Sequence, residues 1–328
     1  MAFCISLYRS LRLFILTPEP NTALVYHFSL YIPEHSAEAR RSRGFSLDNR
    51  NSFFERIILG AEQAASELNS AISVHSLDPG RSELDFAAFT GVDGVIICPY
   101  LDDDLSRRQL ERIREHQLPA VLINHNLPSA EPWPFIGINN FDLGRRIGVM
   151  LSNTHENIRL AVVYSDKAPG IYTERELVEM GISASLGKRL SGPIMSYRTN
   201  LNPLDAEALL DGIFRSPGLR PENSGTADTA AINTIVFTDP EDTIAAAQTL
   251  VDMNLVGEIS VIGFGTDPGV MESLRKGIIS ATVVINPERI GYEAVYSLTA
   301  LRTTGYSSAS IDTGIEIITG SDYLTGSQ

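Results

Sequence analysis

Cysteine is nearly absent from this chain. Its two residues among 328, Cys4 and Cys98, give neither a disulfide framework nor a zinc-ligand spacing. Cys98 lies in the apolar run Val95-Ile96-Ile97-Cys98, which marks it as a small core residue. The six histidines, His27, His35, His75, His116, His125 and His155, never fall at metal-ligand spacing, so neither a metal nor a cofactor is expected. Basic residues are outnumbered, 26 Lys and Arg against 40 Asp and Glu, for a formal net charge of −14. Phosphate binding needs concentrated cations. The densest basic runs, Arg40-Arg41-Ser42-Arg43 and Arg145-Arg146, fall short of a track along a backbone, which excludes a nucleic-acid partner.

Long apolar runs are missing too. None approaches the roughly 20 residues that span a bilayer, so the body reads as soluble. Residues 1–23 form a leader in which Arg9 and Arg12 precede Leu13-Phe14-Ile15-Leu16. That order fits an export signal, but no small-residue cleavage site follows. A degraded signal, a misassigned start and a disordered leader stay open, and a periplasmic or otherwise extracytoplasmic location is expected. Catalytic signatures are equally scarce. The chain contains no G-x-x-x-x-G-K-[ST] loop, no G-x-S-x-G elbow and no H-E-x-x-H helix. The nearest approach to a dinucleotide fingerprint, Gly263-Phe264-Gly265 with Gly269, has the wrong spacing and carries Asp267, which opposes a pyrophosphate. Asp102-Asp103-Asp104 reads as the solvated start of a helix, with acids near its positive end, in preference to a cation site. No enzyme is expected.

What the chain has is alternation. Apolar runs rich in β-branched residues occupy 23–32, 71–77, 91–99, 119–124, 134–139, 158–165, 194–198, 232–238, 259–262, 281–285 and 315–319. Between them lie amphipathic stretches such as 52–69, 105–116, 141–151, 173–186, 203–215, 242–253 and 289–301. Strands separated by helices of about 10–15 residues mean βαβ units and parallel sheets covered on both faces. The strands are too many for one open sheet, so the fold class is α/β with two doubly wound parallel-sheet domains. Residues 33–50 and 218–230 read as long polar insertions, and 84–89 as a short helix.

Polar and aromatic residues recur just past strand ends, at the carboxyl edge where open α/β sheets bind ligands. Asn51, Phe53 and Phe54 sit at the entry to the first helix. Asn124 and His125 end the strand 119–124, and Asp239 follows 232–238. Amides and carboxylates take hydroxyls in pairs while flat rings stack on apolar faces. The plainer reading makes the phenylalanines core residues, and Asn51 and Asp239 helix caps.

At these residues the chain resembles the type I periplasmic binding protein family, in particular its ribose- and galactose-type sugar receptors, and the related ligand domains of lactose-repressor-like regulators. The resemblance runs from about Leu24 to Thr319 through Asn51-Ser52-Phe53-Phe54, GVDGVIICP, LPAVLINHN, FIGINNFDLG, IVFTDPEDTIAAA, ISVIGFG, GIISATVVINP and DTGIEIIT. It implies two lobes, 24–137 plus 287–311 and 138–286 plus 312–328, joined by a three-crossover hinge that closes around a ligand. It also implies a role without catalysis: a solute-binding protein that captures a small sugar or sugar-like molecule and presents it to an ABC transporter permease. A ligand-sensing regulatory domain is the alternative, although a 23-residue leader is short for a helix-turn-helix headpiece. Carried over residue by residue, the ligand positions are Asn51, Phe53, Phe54, Asn124, His125, Asp239 and, beside its motif position, Arg175. Two departures stand out. Gly265 replaces an acid and Ile285 a polar residue, and Asp267 is a candidate substitute for the missing carboxylate.

Overall fold

A computed structural model describes residues 26–33, 53–77, 89–99, 103–127, 133–165, 174–200, 205–215 and 232–325. Asn51, the leader and the insertions at 34–50 and 218–230 lie outside them, as does nearly all of the expected helix at 84–89. The chain divides into two compact units. Unit 1 runs to Gly137 and takes up Asn286–Thr313; unit 2 comprises Ile138–Ile285 and the chain from Gly314.

Unit 1 holds a six-stranded sheet of order β11-β5-β4-β3-β1-β2: β1 (His27–Pro33), β2 (Ala71–Leu77), β3 (Gly94–Ile97), β4 (Ala120–Ile123), β5 (Phe135–Gly137) and β11 (Ser310–Asp312). Every pairing in it is parallel. Each residue of β3 (GVII) and β4 (AVLI) is buried, as expected for central parallel strands covered on both faces. On one face Phe28, Leu30, Ile96 and Val121 pack against Phe54, Ile57, Ala61 and Ala64 of α1 (Phe53–Glu67), and against Ile290, Ala294 and Leu298 of α8 (Pro287–Thr304). The apolar residues of α1 recur at three- and four-residue spacing, so the helix buries a single stripe. On the other face Tyr31, Val95, Ile97 and Leu122 meet Leu110 and Ile113 of α2 (Asp103–Glu115).

Unit 2 repeats the plan with order β12-β10-β9-β8-β6-β7. Its strands are β6 (Leu160–Ser165), β7 (Met195–Thr199), β8 (Thr234–Phe237), β9 (Ser260–Phe264), β10 (Ala281–Ile285) and β12 (Ile315–Thr319), the last antiparallel to β10. The helices are α3 (Asn140–Leu151), α4 (Arg175–Leu186), α5 (Asp205–Arg215), α6 (Pro240–Asp252), α7 (Pro268–Arg275) and α9 (Gly320–Thr325). Ala161, Val163, Ile235, Phe237 and Val261 form its core with Leu210, Ala246, Leu250, Val270 and Leu274.

The sequence pattern gave no sign of β11. Ser310-Ile311-Asp312 carries one apolar residue, and its pairing with β5 rests on the backbone.

Candidate ligand site

Because the strands of the unit 1 sheet, and all but β12 of the unit 2 sheet, run parallel, their carboxyl ends share an edge. In unit 1 that edge carries Asn124 and His125, directly after β4. Asn124 adopts φ +65°, a left-handed turn that Asn tolerates better than most residues. Its N–H donates to the Ile136 carbonyl at 2.9 Å, and its buried side chain hydrogen-bonds the Cys98 thiol. Burial pushes that thiol up to about 12, against which the Asn124 contact works in the other direction. His125 is held by its backbone N–H, which donates to the Ile123 carbonyl at 2.7 Å. Its Nε2 lies 3.8 Å from Asp103 Oδ1. Its Nδ1 is buried without a hydrogen-bond partner, which is uncommon for a native polar atom.

The two phenylalanines part company. Phe54 is 1% exposed and belongs to the core beneath α1, so the ligand-stacking role that the resemblance implied does not suit it; the plainer core reading does. Phe53, the first residue of α1, is half-buried and meets Phe54 edge-on at 5.1 Å. Asp103 and Asp104 open α2 and pair with Arg107 one turn on, at 3.6 and 3.7 Å, which agrees with a solvated helix start.

In unit 2 Arg175 opens α4 with its guanidinium 4.7 Å above the Tyr164 ring, a cation–π contact at the end of β6. The Tyr164 hydroxyl donates to Glu179 Oε1 at 3.1 Å. Its pKa is raised, first by burial and then by the Glu179 carboxylate. Beside them Asn140 Nδ2 donates to Glu174 Oε2 at 3.2 Å, while the buried Oδ1 of Asn140 has no partner.

Asp239 is an N-cap. It is 6% exposed, and its Oδ1 accepts from the Asp242 N–H at 3.0 Å, closing the first turn of α6. Its carbonyl accepts from the Thr243 hydroxyl at 2.7 Å, and that hydroxyl accepts from the Phe264 N–H at 3.1 Å. Thr238 ties β8 to β6 by donating to the Val163 carbonyl and accepting from the Ser165 N–H, at 3.1 and 3.0 Å. Asp242 is fully buried and accepts from Thr199 Oγ1.

The adjacent loop differs. After β8 the chain reads Phe237-Thr238-Asp239-Pro240; after β9 it reads Phe264-Gly265-Thr266-Asp267-Pro268. The same Thr-Asp-Pro leads into α7, but with one glycine inserted. Gly265 takes φ +87°, a conformation natural to glycine. Asp267 stands at the N-cap of α7 with φ −57° and makes no capping hydrogen bond. Its Oδ2 lies 3.2 Å from where a Cβ of residue 265 would stand, with Pro240 Cγ 3.0 Å away on the same position. Ile285 is buried at 6% in β10.

Among the described residues, no group of three or more His, Cys, Asp or Glu is placed to hold a metal ion, and no helix is long and apolar enough to cross a membrane.

A family model described as the periplasmic binding protein domain matches residues 44–305. No curated relative matches by sequence. Among solved structures, a glucose-galactose binding protein, GanP, from Geobacillus stearothermophilus is 21% identical, with 90% of this chain and 98% of that chain covered and a TM-score of 0.70. An ABC transporter solute binding protein from Burkholderia graminis C4D1M, in complex with D-arabinose, is 16% identical, with 93% and 98% covered and a TM-score of 0.70. A candidate LacI transcriptional regulator from Bacteroides fragilis is 17% identical, with 92% and 99% covered and a TM-score of 0.67. At these identities the likeness is one of fold.

Proposed function

The chain belongs to the periplasmic binding protein domain family, and on that premise we propose that it captures a small sugar or sugar-like solute outside the cytoplasm and presents it to an ABC transporter. The family match over residues 44–305 carries this reading. The sugar-binding proteins among the similar folds support the ligand class.

The residues proposed for the ligand are Phe53, Asn124 and His125 from unit 1, with Asn51 on sequence alone, and Arg175 and Asp239 from unit 2. His125 contributes most clearly in unit 1. A buried polar atom left unpaired costs about 1–3 kcal/mol. The buried, unpaired Nδ1 of His125 is the atom suited to a ligand hydroxyl. Phe53 offers a ring to the apolar face of a sugar. A ligand that binds one conformation better than another shifts the protein toward it, which is how capture would couple to the hinge closure that the resemblance implies. No bond is made or broken in this reading.

The test is thermal denaturation of the purified protein with and without ribose, arabinose, galactose and glucose, followed by calorimetry. A ligand at 100 times its Kd stabilises a protein by about 2.7 kcal/mol, which raises the midpoint by several degrees. Failure of these sugars, and of a nucleoside panel, to move the midpoint overturns the proposal.

The likeness to a candidate transcriptional regulator favours a second reading, a ligand-sensing regulatory domain. Gene neighbourhood separates the two: a permease gene beside this one supports transport, and a sensor kinase gene supports signalling.

A further inference from the structure

The strand β6 runs Leu160-Ala161-Val162-Val163 and then turns polar at Tyr164. Tyr164 is 2% exposed, and a hydroxyl carried that deep needs a partner. α4 supplies it. Arg175 and Glu179 stand four residues apart at the start of that helix, so they share one of its faces. Glu179 Oε1 accepts from the Tyr164 hydroxyl at 3.1 Å and from the Ser196 hydroxyl of β7 at 2.6 Å. Arg175 lies over the same ring, its guanidinium carbon 4.7 Å from the centroid. One ring is thus fixed at its hydroxyl by an anion and occupied on its face by a cation. The two hydroxyls that hold the carboxylate come from paired neighbouring strands, so the stack does not hang on a single bond. Burial, with the Glu179 charge behind it, raises the pKa of Tyr164 and keeps its hydroxyl a donor.

Resting on the reading above, in which Arg175 meets the solute, we propose that Tyr164 and Glu179 are positioning residues for that arginine. Glu179 orients the ring, and the ring holds the guanidinium ready for the ligand. An arginine side chain loses much rotamer freedom when a ligand fixes it. One already laid on a ring has lost that freedom before the ligand arrives, which is preorganisation. A ring also holds the guanidinium without offering an oxygen to compete with those of a ligand, as a carboxylate in contact with it would. Here the carboxylate sits on the hydroxyl instead, where its charge polarises the ring toward a more negative π face for the cation. Tyr164, with its hydroxyl given to Glu179 and its ring buried, acts on a ligand through Arg175.

Calorimetry on the full chain with ribose, arabinose, galactose and glucose tests this by double-mutant cycles. Tyr164→Leu, Tyr164→Phe and Glu179→Gln are each measured with Arg175 present and in an Arg175→Ala background. Removing the ring by Tyr164→Leu is expected to weaken binding of the sugar that the wild type takes by roughly two- to thirtyfold, the range of a cation–π contact. Tyr164→Phe and Glu179→Gln weaken one hydrogen bond from its two ends and are expected to lose a smaller factor each. They carry the test if Tyr164→Leu does not fold. In the Arg175→Ala background none of the three is expected to change affinity further. A contact that only pins α4 to β6 would weaken binding by the same factor in both backgrounds, and that result overturns the proposal. An Arg175→Ala protein that binds as tightly as wild type also overturns it; either outcome leaves sugar binding standing. NMR reads the stack without ligand: the side-chain protons of Arg175 are expected upfield through the Tyr164 ring current and back at ordinary shifts in Tyr164→Leu. Unshifted protons in the wild type overturn the stack. A wild type that binds none of the four sugars overturns the sugar reading and this inference with it.

Discussion

Substituting alanine for one particular glycine tests the packing of unit 1 with a sign that helix propensity alone gets wrong. Gly291 lies inside α8 where it crosses α1. A Cβ built there stands 1.9 Å from the Ile57 carbonyl oxygen, 2.8 Å from the Ala61 nitrogen and 2.9 Å from the Ile57 carbonyl carbon. All three are backbone atoms, so no rotamer change relieves the clash. The opposing glycine is as tight, since a Cβ on Gly60 stands 1.8 Å from the Glu288 carbonyl oxygen. Propensity favours Ala over Gly by about 1 kcal/mol inside a helix. Against that, α8 must move by roughly an ångström from α1, loosening Ile57, Ala61, Ala64, Ile290 and Ala294 in one shared core. Overpacking of this kind costs about 1–3 kcal/mol, and with a backbone obstacle the upper end applies. Gly291→Ala is therefore expected to destabilise unit 1 by about 2 kcal/mol net, lowering its midpoint by roughly 4–8 °C. The single tryptophan, Trp133, packs on the opposite face of the unit 1 sheet, so its fluorescence follows that unit where a whole-chain signal mixes two transitions. Gly212→Ala in α5 is the control. Nothing lies within 4 Å of the Cβ it adds, so propensity acts alone and the variant gains up to about 1 kcal/mol, read by circular dichroism with the Trp133 transition unmoved. A Gly291→Ala protein as stable as wild type refutes the backbone-close packing of α1 on α8.

Asp239→Ala is expected to lose about 1 kcal/mol of stability through the uncapped α6, and Asp239→Asn to keep most of it, compared by urea denaturation. Cys98 should resist thiol reagents at pH 8 in a Cys4→Ser background until the protein unfolds. It is fully buried, and the thiolate that reacts is suppressed by burial, which pushes the pKa up to about 12; fast labelling of the folded protein refutes this.

Most of the fold was legible because central parallel strands buried on both faces must be continuous apolar runs. GVII and AVLI are that, TIVF is so after its threonine, and each lies wholly in the interior. Edge elements held by backbone pairing, such as β11, leave no such trace. The site was less legible for a different reason. Residue type at a strand end says which chemistry is present, but which partner the side chain has taken depends on φ and ψ one or two residues away. Phe53 and Phe54 are adjacent and identical, and only the helix phase decides that Phe54 points into the core. Asp239 and Asp267 share the tripeptide Thr-Asp-Pro, and only the preceding glycine decides that one caps its helix and the other does not.

The same glycine economy recurs where the chain changes units. It crosses after Gly137 and again after Ile285, and each time the next helix opens on an asparagine cap. Asn139 accepts from the Asp142 N–H at 3.0 Å, and Asn286 from the Arg289 N–H at 3.1 Å. Each of these helices then lies backbone-close on the helix that follows the first strand of its unit: α8 on α1 through Gly60 and Gly291, and α3 on α4, where a Cβ on Gly144 stands 2.0 Å from the Val178 carbonyl oxygen. The partner helices begin with Phe53 and Arg175, two of the proposed ligand residues. Interiors packed this closely shift as blocks more readily than they deform. Within each unit, a pull on the ligand end of α1 or α4 is therefore passed to the helix that leads away from a crossover, with little lost to bending in between. Loosening the α1–α8 joint by Gly291→Ala should accordingly weaken ligand affinity as well as stability. Calorimetry with unchanged affinity in that variant would show that the joint does not matter to capture.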